Sequence, residues 1–270
     1  MFIDIGVETI YLADYIKALY QVDGVNDIYY HDGVGIYSDQ EAGDNSYRYA
    51  GANPNNYICF GTDVTNCSDE YLYRIIGVFD NEVKIIKYSS IDSYYYGSSD
   101  MAVVDRWSVA TLNNDVLNGT YLNGLGNWSS YIENAIWHTG GWFFGATVKE
   151  TYNNEINQTS TTQRKMGLMY MHDYGYAGTP NSWSRSLGSG YSIYASSNWL
   201  YTGIFEWTIV SGGRFESDVT NALYINDVGE IWSNYLYSQA SYNVRPVFYL
   251  NSDVEYMSGS GTQIDPYRIA

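Results

Sequence analysis

Cysteine is almost absent from this chain. Cys59 and Cys67, in "CFGTDVTNC", are the only two in 270 residues. No further Cys or His stands at ligand spacing, which argues against a structural metal site. The pair is expected to close a short disulfide loop, and therefore to belong to an oxidising, extracytoplasmic compartment. Basic residues are also scarce: thirteen Lys and Arg against thirty Asp and Glu give a net charge of −17. Such a field repels phosphate backbones and anionic membrane surfaces, which argues against a nucleic-acid partner. The three histidines, His31, His138 and His172, form no H-E-x-x-H or related spacing, which argues against a zinc hydrolase. His172-Asp173 sits in an apolar, strand-like run and reads as a structural histidine. No apolar stretch is long enough to cross a membrane. No signal peptide is visible, so an exported form would have lost its targeting segment. A G-x-S-x-G elbow is missing, and Gly259–Thr262 lacks the Lys-Ser/Thr of a phosphate loop and reads as a turn.

What the chain has instead is tyrosine, 31 residues, together with eight Trp and many Gly, Asn and Ser. Stiff amphipathic rings mixed with small polar groups are the palette of antibody paratopes. Tyr also favours strands, so a β-rich exported protein is the plainer explanation.

Residues 8–20, "ETIYLADYIKALY", place Leu12, Ile16 and Leu19 at helical spacing. This predicts an amphipathic helix, either core or the stub beneath a removed anchor, ahead of a single domain over 21–270. Asp32, Asp39, Glu41 and Asp44 are the one group of acids that could gather around Ca²⁺. They lack the spacing of a calcium loop, and solvated loop carboxylates are the preferred reading, with no cofactor. "YRIIGVFDNEVKIIKY", 73–88, predicts a core hairpin turning at Asp80-Asn81. Ser108 with Gly119 brackets one helix, and the Ser130/Glu133 capping box predicts another ahead of Ile136. "WHTGGWFFGATVKETYNNE" reads as strand and loop, 165–177 as a buried strand, and 198–210 as strand-like. Strands and helices do not alternate, and no repeat is seen. The expected class is α+β: an antiparallel sheet, two to three helices and extensive loops.

The segment Glu206–Leu250 organises the rest. Leu223 and Ile225 alternate with Tyr224 and Asn226, as in a half-buried strand. Asp227-Val228-Gly229 supplies a turn, and Glu230-Ile231-Trp232 starts the return. Tyr, Asn and Ser then dominate as far as Asn243. "VRPVFYL" closes as a buried strand, with Pro246 at a start, edge or bulge. A glycosidase would need two positioned carboxylates, such as Glu206 with Asp218, but thirty acids always offer pairs. The same rings and carboxylates can hold a sugar without cleaving it. The chain is therefore read as non-enzymatic.

Three pieces carry a resemblance: the helical Trp107–Leu122 segment; Trp207-Thr208-Ile209 followed by "ALYINDVGEI" and "VRPVFYL"; and the tail "GSGTQIDPYRI". Together they resemble a family of exported Gram-positive gut-bacterial surface or pilin-like proteins of uncharacterised function. The Val-Arg-Pro strand is similar to C-type-lectin-like domains of the formylglycine-generating-enzyme type, used as ligand-binding ends of proteins varied by diversity-generating retroelements. The resemblance implies a small twisted antiparallel sheet whose binding face precedes the final strand. Its variable contact positions would be Tyr224, Asn226, Trp232, Asn234, Tyr235, Tyr237, Ser238 and Tyr242. Both Cys lie early, so formylglycine-generating activity is not implied. Asn53-Pro54-Asn55 and Trp232-Ser233-Asn234 depart from the motifs of calcium-dependent lectins.

The resulting expectation is an extracellular, adhesin-like recognition domain that binds a protein or glycan on another cell or phage surface, without membrane insertion. Trp199 and the later rings would supply contact area. Arg214, Glu216, Asp218, Asn226 and Asn234 would supply directional hydrogen bonds. The alternatives are a carbohydrate-active enzyme and a structural pilin-like subunit.

Overall fold

The computed structural model describes residues 9–97, 107–141, 145–211, 221–235 and 240–270, with Ser211 and Tyr235 described by backbone alone. The first helix, α1 (Leu12–Leu19), buries Leu12, Ala13 and Ile16 and carries Asp14 early and Lys17 late, as the helix dipole favours. Leu12 and Ile16 join the same hydrophobic cluster as residues near the other end of the chain, including Tyr267 and Ile269. Each such aliphatic side chain contributes about 1.5–3 kcal/mol on burial.

Five short or medium strands follow: β1 (Ile28–Tyr30), β2 (Tyr47–Tyr49), β3 (Tyr57–Cys59), β4 (Leu72–Phe79) and β5 (Glu82–Lys87). Next come β6 (Asp92–Tyr94), a π-helix at Leu112–Tyr121 and the single turn α2 (Leu122–Gly124). The middle of the chain holds β7 (Ala135–His138), α3 (Val148–Ile156), β8 (Thr161–Arg164) and α4 (Met171–Ala177). The last third holds β9 (Glu206–Ser211), β10 (Asn221–Ile225), β11 (Ile231–Tyr235), β12 (Tyr242–Val244) and β13 (Val247–Leu250). A small hairpin-like pair, β14 (Tyr256–Ser258) and β15 (Arg268–Ile269), closes the chain.

Two sheets organise these elements. The first runs β1-β2-β4-β5-β13, with β3 also paired to β4. It is antiparallel throughout, and β4 is buried from Leu72 to Val78. That two-sided burial explains why the segment reads as a continuous apolar run rather than an alternating one. Gly77 marks a register shift in β4, and a Cβ there would stand 2.4 Å from the Tyr47 carbonyl oxygen. Only glycine lets β2 approach that closely. The second sheet runs β11-β10-β9-β12-β6. Its pairs are antiparallel except β9 with β12, which meet in parallel at Glu206 and Asn243. The chain is thus α+β, with mainly antiparallel sheets and few helices.

The hairpin β4–β5, the hairpin β10–β11 and the buried strand β13 lie where the sequence places them. Pro246 falls between β12 and β13, at the break where no ladder donor is needed. Several expectations are corrected. Residues 165–177 are not one strand: α4 begins at Met171, and the Asp173 carboxylate accepts the Tyr170 N–H at 2.8 Å. The Ser130/Glu133 signal does not start a helix; a 3₁₀ turn ends at Tyr131 and β7 follows. Conversely, α3 forms within a stretch read as strand and loop, nucleated by a Thr147/Glu150 capping box. Strand β9 starts only at Glu206, so the 198–205 part of the strand-like run is largely loop.

Cys59 and Cys67 are bonded to each other. Closing so short a loop is worth about 2–3 kcal/mol. Among the described residues, no helix is long and apolar enough to cross a membrane.

Candidate functional site

The outer face of the second sheet gathers the aromatic residues that the C-terminal sequence singles out. Tyr224 on β10 is the cross-strand partner of both Trp232 on β11 and Trp207 on β9, so all three rings share one face. The opposite face buries Leu223, Ile225 and Ile231. Tyr242, on β12, packs on Trp207 and Tyr224 with ring centroids at 4.5 and 4.6 Å, and stacks on Phe205 at 5.3 Å. Trp207 is the buried floor of this cluster, its indole N–H donating to the Tyr94 carbonyl at 2.8 Å. Phe205 and Trp232 remain 37% and 47% exposed, which places them at the surface of the same cluster. Asn234 donates to the Tyr242 hydroxyl at 3.0 Å.

Trp232 is held as well as displayed. Its indole N–H donates to Glu230 Oε2 at 3.1 Å, while Glu230 Oε1 accepts the Gly190 N–H at 2.7 Å and the Ser192 hydroxyl at 3.2 Å. Burial raises the Glu230 pKa, but these donors and Asn226 outweigh it and hold the carboxyl below its ordinary range. Glu230 therefore stays ionised, and the ring keeps a fixed orientation. The turn beneath is fixed too. Asn226 Oδ1 accepts the N–H groups of Val228 and Glu230, and Tyr174 Oη donates from α4 to the Gly229 carbonyl at 2.9 Å. Gly229 adopts a φ of 87°, and a Cβ there would stand 2.7 Å from Ala195 Cβ. The turn tolerates only glycine at that point. An exposed ring that loses little freedom on contact is an efficient anchor.

The expected contact residues divide on this geometry. The structure brings Tyr224, Trp232, Asn234 and Tyr242 together on the sheet face. Asn226 lies in the adjoining turn, where its side chain supports the backbone. Tyr235 pairs with Asn221 through its backbone at the end of β11. Arg214, Glu216, Asp218, Tyr237 and Ser238 lie outside the described residues. Trp199 is a correction: it is buried, with its indole N–H donating to the Tyr49 carbonyl at 2.8 Å, and it belongs to a wall rather than to the displayed face. Phe205, Tyr94 and Glu230 belong to the cluster but were not among the sequence candidates. The sequence does hint at Phe205, two residues before Trp207 and hence on the same side of the strand. Burial, with Tyr242 beside it, pushes the Tyr224 hydroxyl up to about 12, so the ring stays neutral at physiological pH.

Charged groups cluster elsewhere, inside the protein. Lys84 Nζ meets Asp173 Oδ2 at 2.6 Å, with both side chains fully buried. His172 Nδ1 lies 2.6 Å from Glu155 Oε2, and Glu155 also accepts the N–H groups of Met171 and His172. Burial holds His172 and His31 well below the usual histidine range, so both are neutral. Both pairs lie among the buried residues rather than on the sheet face. Among the described residues, no group of His, Cys, Asp or Glu could hold a metal ion. The loop acids near His31 are not all solvated as expected. Glu41 is buried and accepts the Gly33 N–H at 3.0 Å, and Asp44 Oδ2 pairs with Arg48 Nη2 at 2.6 Å.

Asp44 makes a pH prediction. Burial opposes its charge, but Arg48 and the Ser46 hydroxyl win and lower its pKa from 3.8 to about 2. Because the folded value lies below the unfolded one, its stabilisation is present above pH 3.8 and is lost as pH falls through about 2. Asp44→Asn should therefore cost about 2 kcal/mol near neutrality and almost nothing at pH 2, as read from urea unfolding at both pH values.

Comparison with known proteins finds no matching family model, no matching curated protein and no matching solved structure. The functional reading rests on the site itself.

Proposed function

We propose that this chain is a non-enzymatic extracellular recognition domain that binds a protein or glycan on another surface through the aromatic face of its second sheet. The observation that carries the reading is Trp232: a large ring, half exposed, with its only polar atom already satisfied by a fixed carboxylate. A ring in that state costs little to desolvate and has little entropy left to lose, as contact hot spots require. The disulfide is compatible with an extracytoplasmic setting. The α+β arrangement, with small antiparallel sheets and much loop, supports a C-type-lectin-like domain of the kind displayed on bacterial surfaces. On that reading Tyr224, Trp232, Asn234 and Tyr242 are positions where a diversity-generating retroelement would act, and no metal or other cofactor is needed.

Binding is favoured over catalysis by the state of the nearest described carboxylates. Glu230 is kept ionised and cannot donate a proton at neutral pH. Glu206 is buried and paired to Arg245 at 2.7 Å. A glycan array read beside a hydrolysis assay tests the reading. The expected result is retention on a subset of glycans, or on a protein-coated surface, with no product released. Product release from a retained glycan would instead establish a carbohydrate-active enzyme.

A further inference from the structure

Between Trp199, Tyr88 and Arg245 lies a depression of about 570 Å³, a size suited to a small ligand. Its lining is unusual for so acidic a chain: it includes Arg74 and Arg245 but no Asp or Glu. Arg74 is almost fully buried, yet has no carboxylate partner among the described residues. Its Nε donates to Asn56 Oδ1 at 2.7 Å, and its Nη2 to the Pro54 carbonyl at 3.0 Å. The guanidinium lies over the rings of Tyr57 and Trp199, at 4.3 and 4.6 Å. Arg245 is positioned by Glu206 through Nε and by the Leu200 carbonyl through Nη2. In both residues Nε and Nη2 are occupied, while Nη1 makes no hydrogen bond within the described residues.

The two cations are close enough to oppose one another. Burial lowers the Arg74 pKa to about 10, Tyr57 works against that, and Arg245 adds to it. Arg74 thus remains charged at neutral pH. Neutral carbonyls and ring faces tolerate that charge but do not neutralise it. Arg74 supplies the uncompensated charge in this wall, and Arg245, whose own charge Glu206 balances, adds N–H donors, a combination that suits a carboxylate. The rest of the lining speaks to the body of the ligand. Tyr88 and Tyr201 are partly exposed rings suited to stacking, and the exposed Ser89 and Ser196 bring hydroxyls to the rim. Rings plus hydroxyls are the contacts a sugar ring takes.

We propose that this depression binds a carboxylate-bearing sugar ring, its carboxylate at Arg74 and Arg245 and its ring against Tyr88 and Tyr201. The lining shares no residue with the sheet face, although Ala195 and Tyr201 also touch the Asp227–Gly229 turn, and neither assignment depends on the other. Saturation-transfer NMR tests it, with sodium glucuronate and glucose observed through their C–H protons and inorganic phosphate added as a competitor. Glucuronate should bind saturably and glucose at least about tenfold more weakly, and phosphate should displace glucuronate only at about tenfold or greater excess. Arg74→Met should abolish the glucuronate signal. Ser196→Trp, which fills the mouth and leaves Arg74 in place, should abolish it with an unchanged urea midpoint, and Trp232→Ala should leave it intact. Equal affinity for glucose or phosphate, no glucuronate signal, or full binding by Ser196→Trp would each overturn the assignment. Should Arg74→Met fail to fold, the Ser196→Trp result decides alone.

Discussion

Lys84→Met should lower the unfolding free energy by about 3–5 kcal/mol, the cost of leaving one member of a buried ion pair without its partner. Lys84 Nζ and Asp173 Oδ2 are 2.6 Å apart, and neither side chain touches solvent. Burial pulls the Lys84 pKa down while Asp173 pulls it up; the net direction is downward, which shows how costly the site is for a lone charge. Asp173 does more than pair. The same Oδ2 accepts the Tyr170 N–H at the start of α4, and Oδ1 lies 3.9 Å from Arg48 and 3.7 Å from His172. Lys84→Met with Asp173→Asn should therefore recover part of the loss, because no uncompensated carboxylate remains. Urea unfolding of the two single variants and the double variant measures the coupling. A single-variant loss below about 1 kcal/mol would show that solvent reaches the pair. The pair also matters for the candidate face. It ties β5 of the first sheet to α4, and α4 carries Tyr174, which holds the Gly229 turn below Trp232.

The second large effect is on binding. Trp232→Ala should weaken attachment to a retained glycan or protein surface by about 1–4 kcal/mol, roughly five- to a thousandfold, while its urea midpoint moves little. The asymmetry follows from burial. Trp232 is half exposed and its hydrogen bond goes to a surface carboxylate, so folding loses little when the ring is removed. Tyr242→Ala is the contrasting case. It removes a ring packed on Phe205, Trp207 and Tyr224, and should reduce both binding and stability. If Trp232→Ala binds as tightly as the natural chain, the contact surface lies elsewhere.

How much of this was legible follows from the range of each interaction. Hairpin β10–β11 announces itself locally: Leu223 and Ile225 alternate with Tyr224, and Asp227-Val228-Gly229 turns the chain. Trp232 could therefore be placed beside Tyr224 from sequence. Helix α4 could not be seen, because all seven of its residues are buried and a helix buried all round has no 3.6-residue period. The Ser130/Glu133 signal misled because Trp137 is buried beside an exposed Ile136, the period of a strand. Tyr94 reaches the aromatic cluster through the pairing of distant segments: β12 joins β9 in parallel and β6 in antiparallel pairing, and the Tyr94 carbonyl accepts from Trp207. Nothing in a linear chain announces those distant pairings. Trp199 is illegible for a related reason: an aromatic residue in a loop looks the same in sequence whether it faces outward or lines a wall.

The most direct test of the central claim is oxidative footprinting of Trp232 with and without a retained glycan or protein target. The account expects its oxidation to fall several-fold on binding, with buried Trp207 and Trp183 unchanged in both states. Equal oxidation of Trp232 in the free and bound protein, with protection confined to another surface, would contradict it.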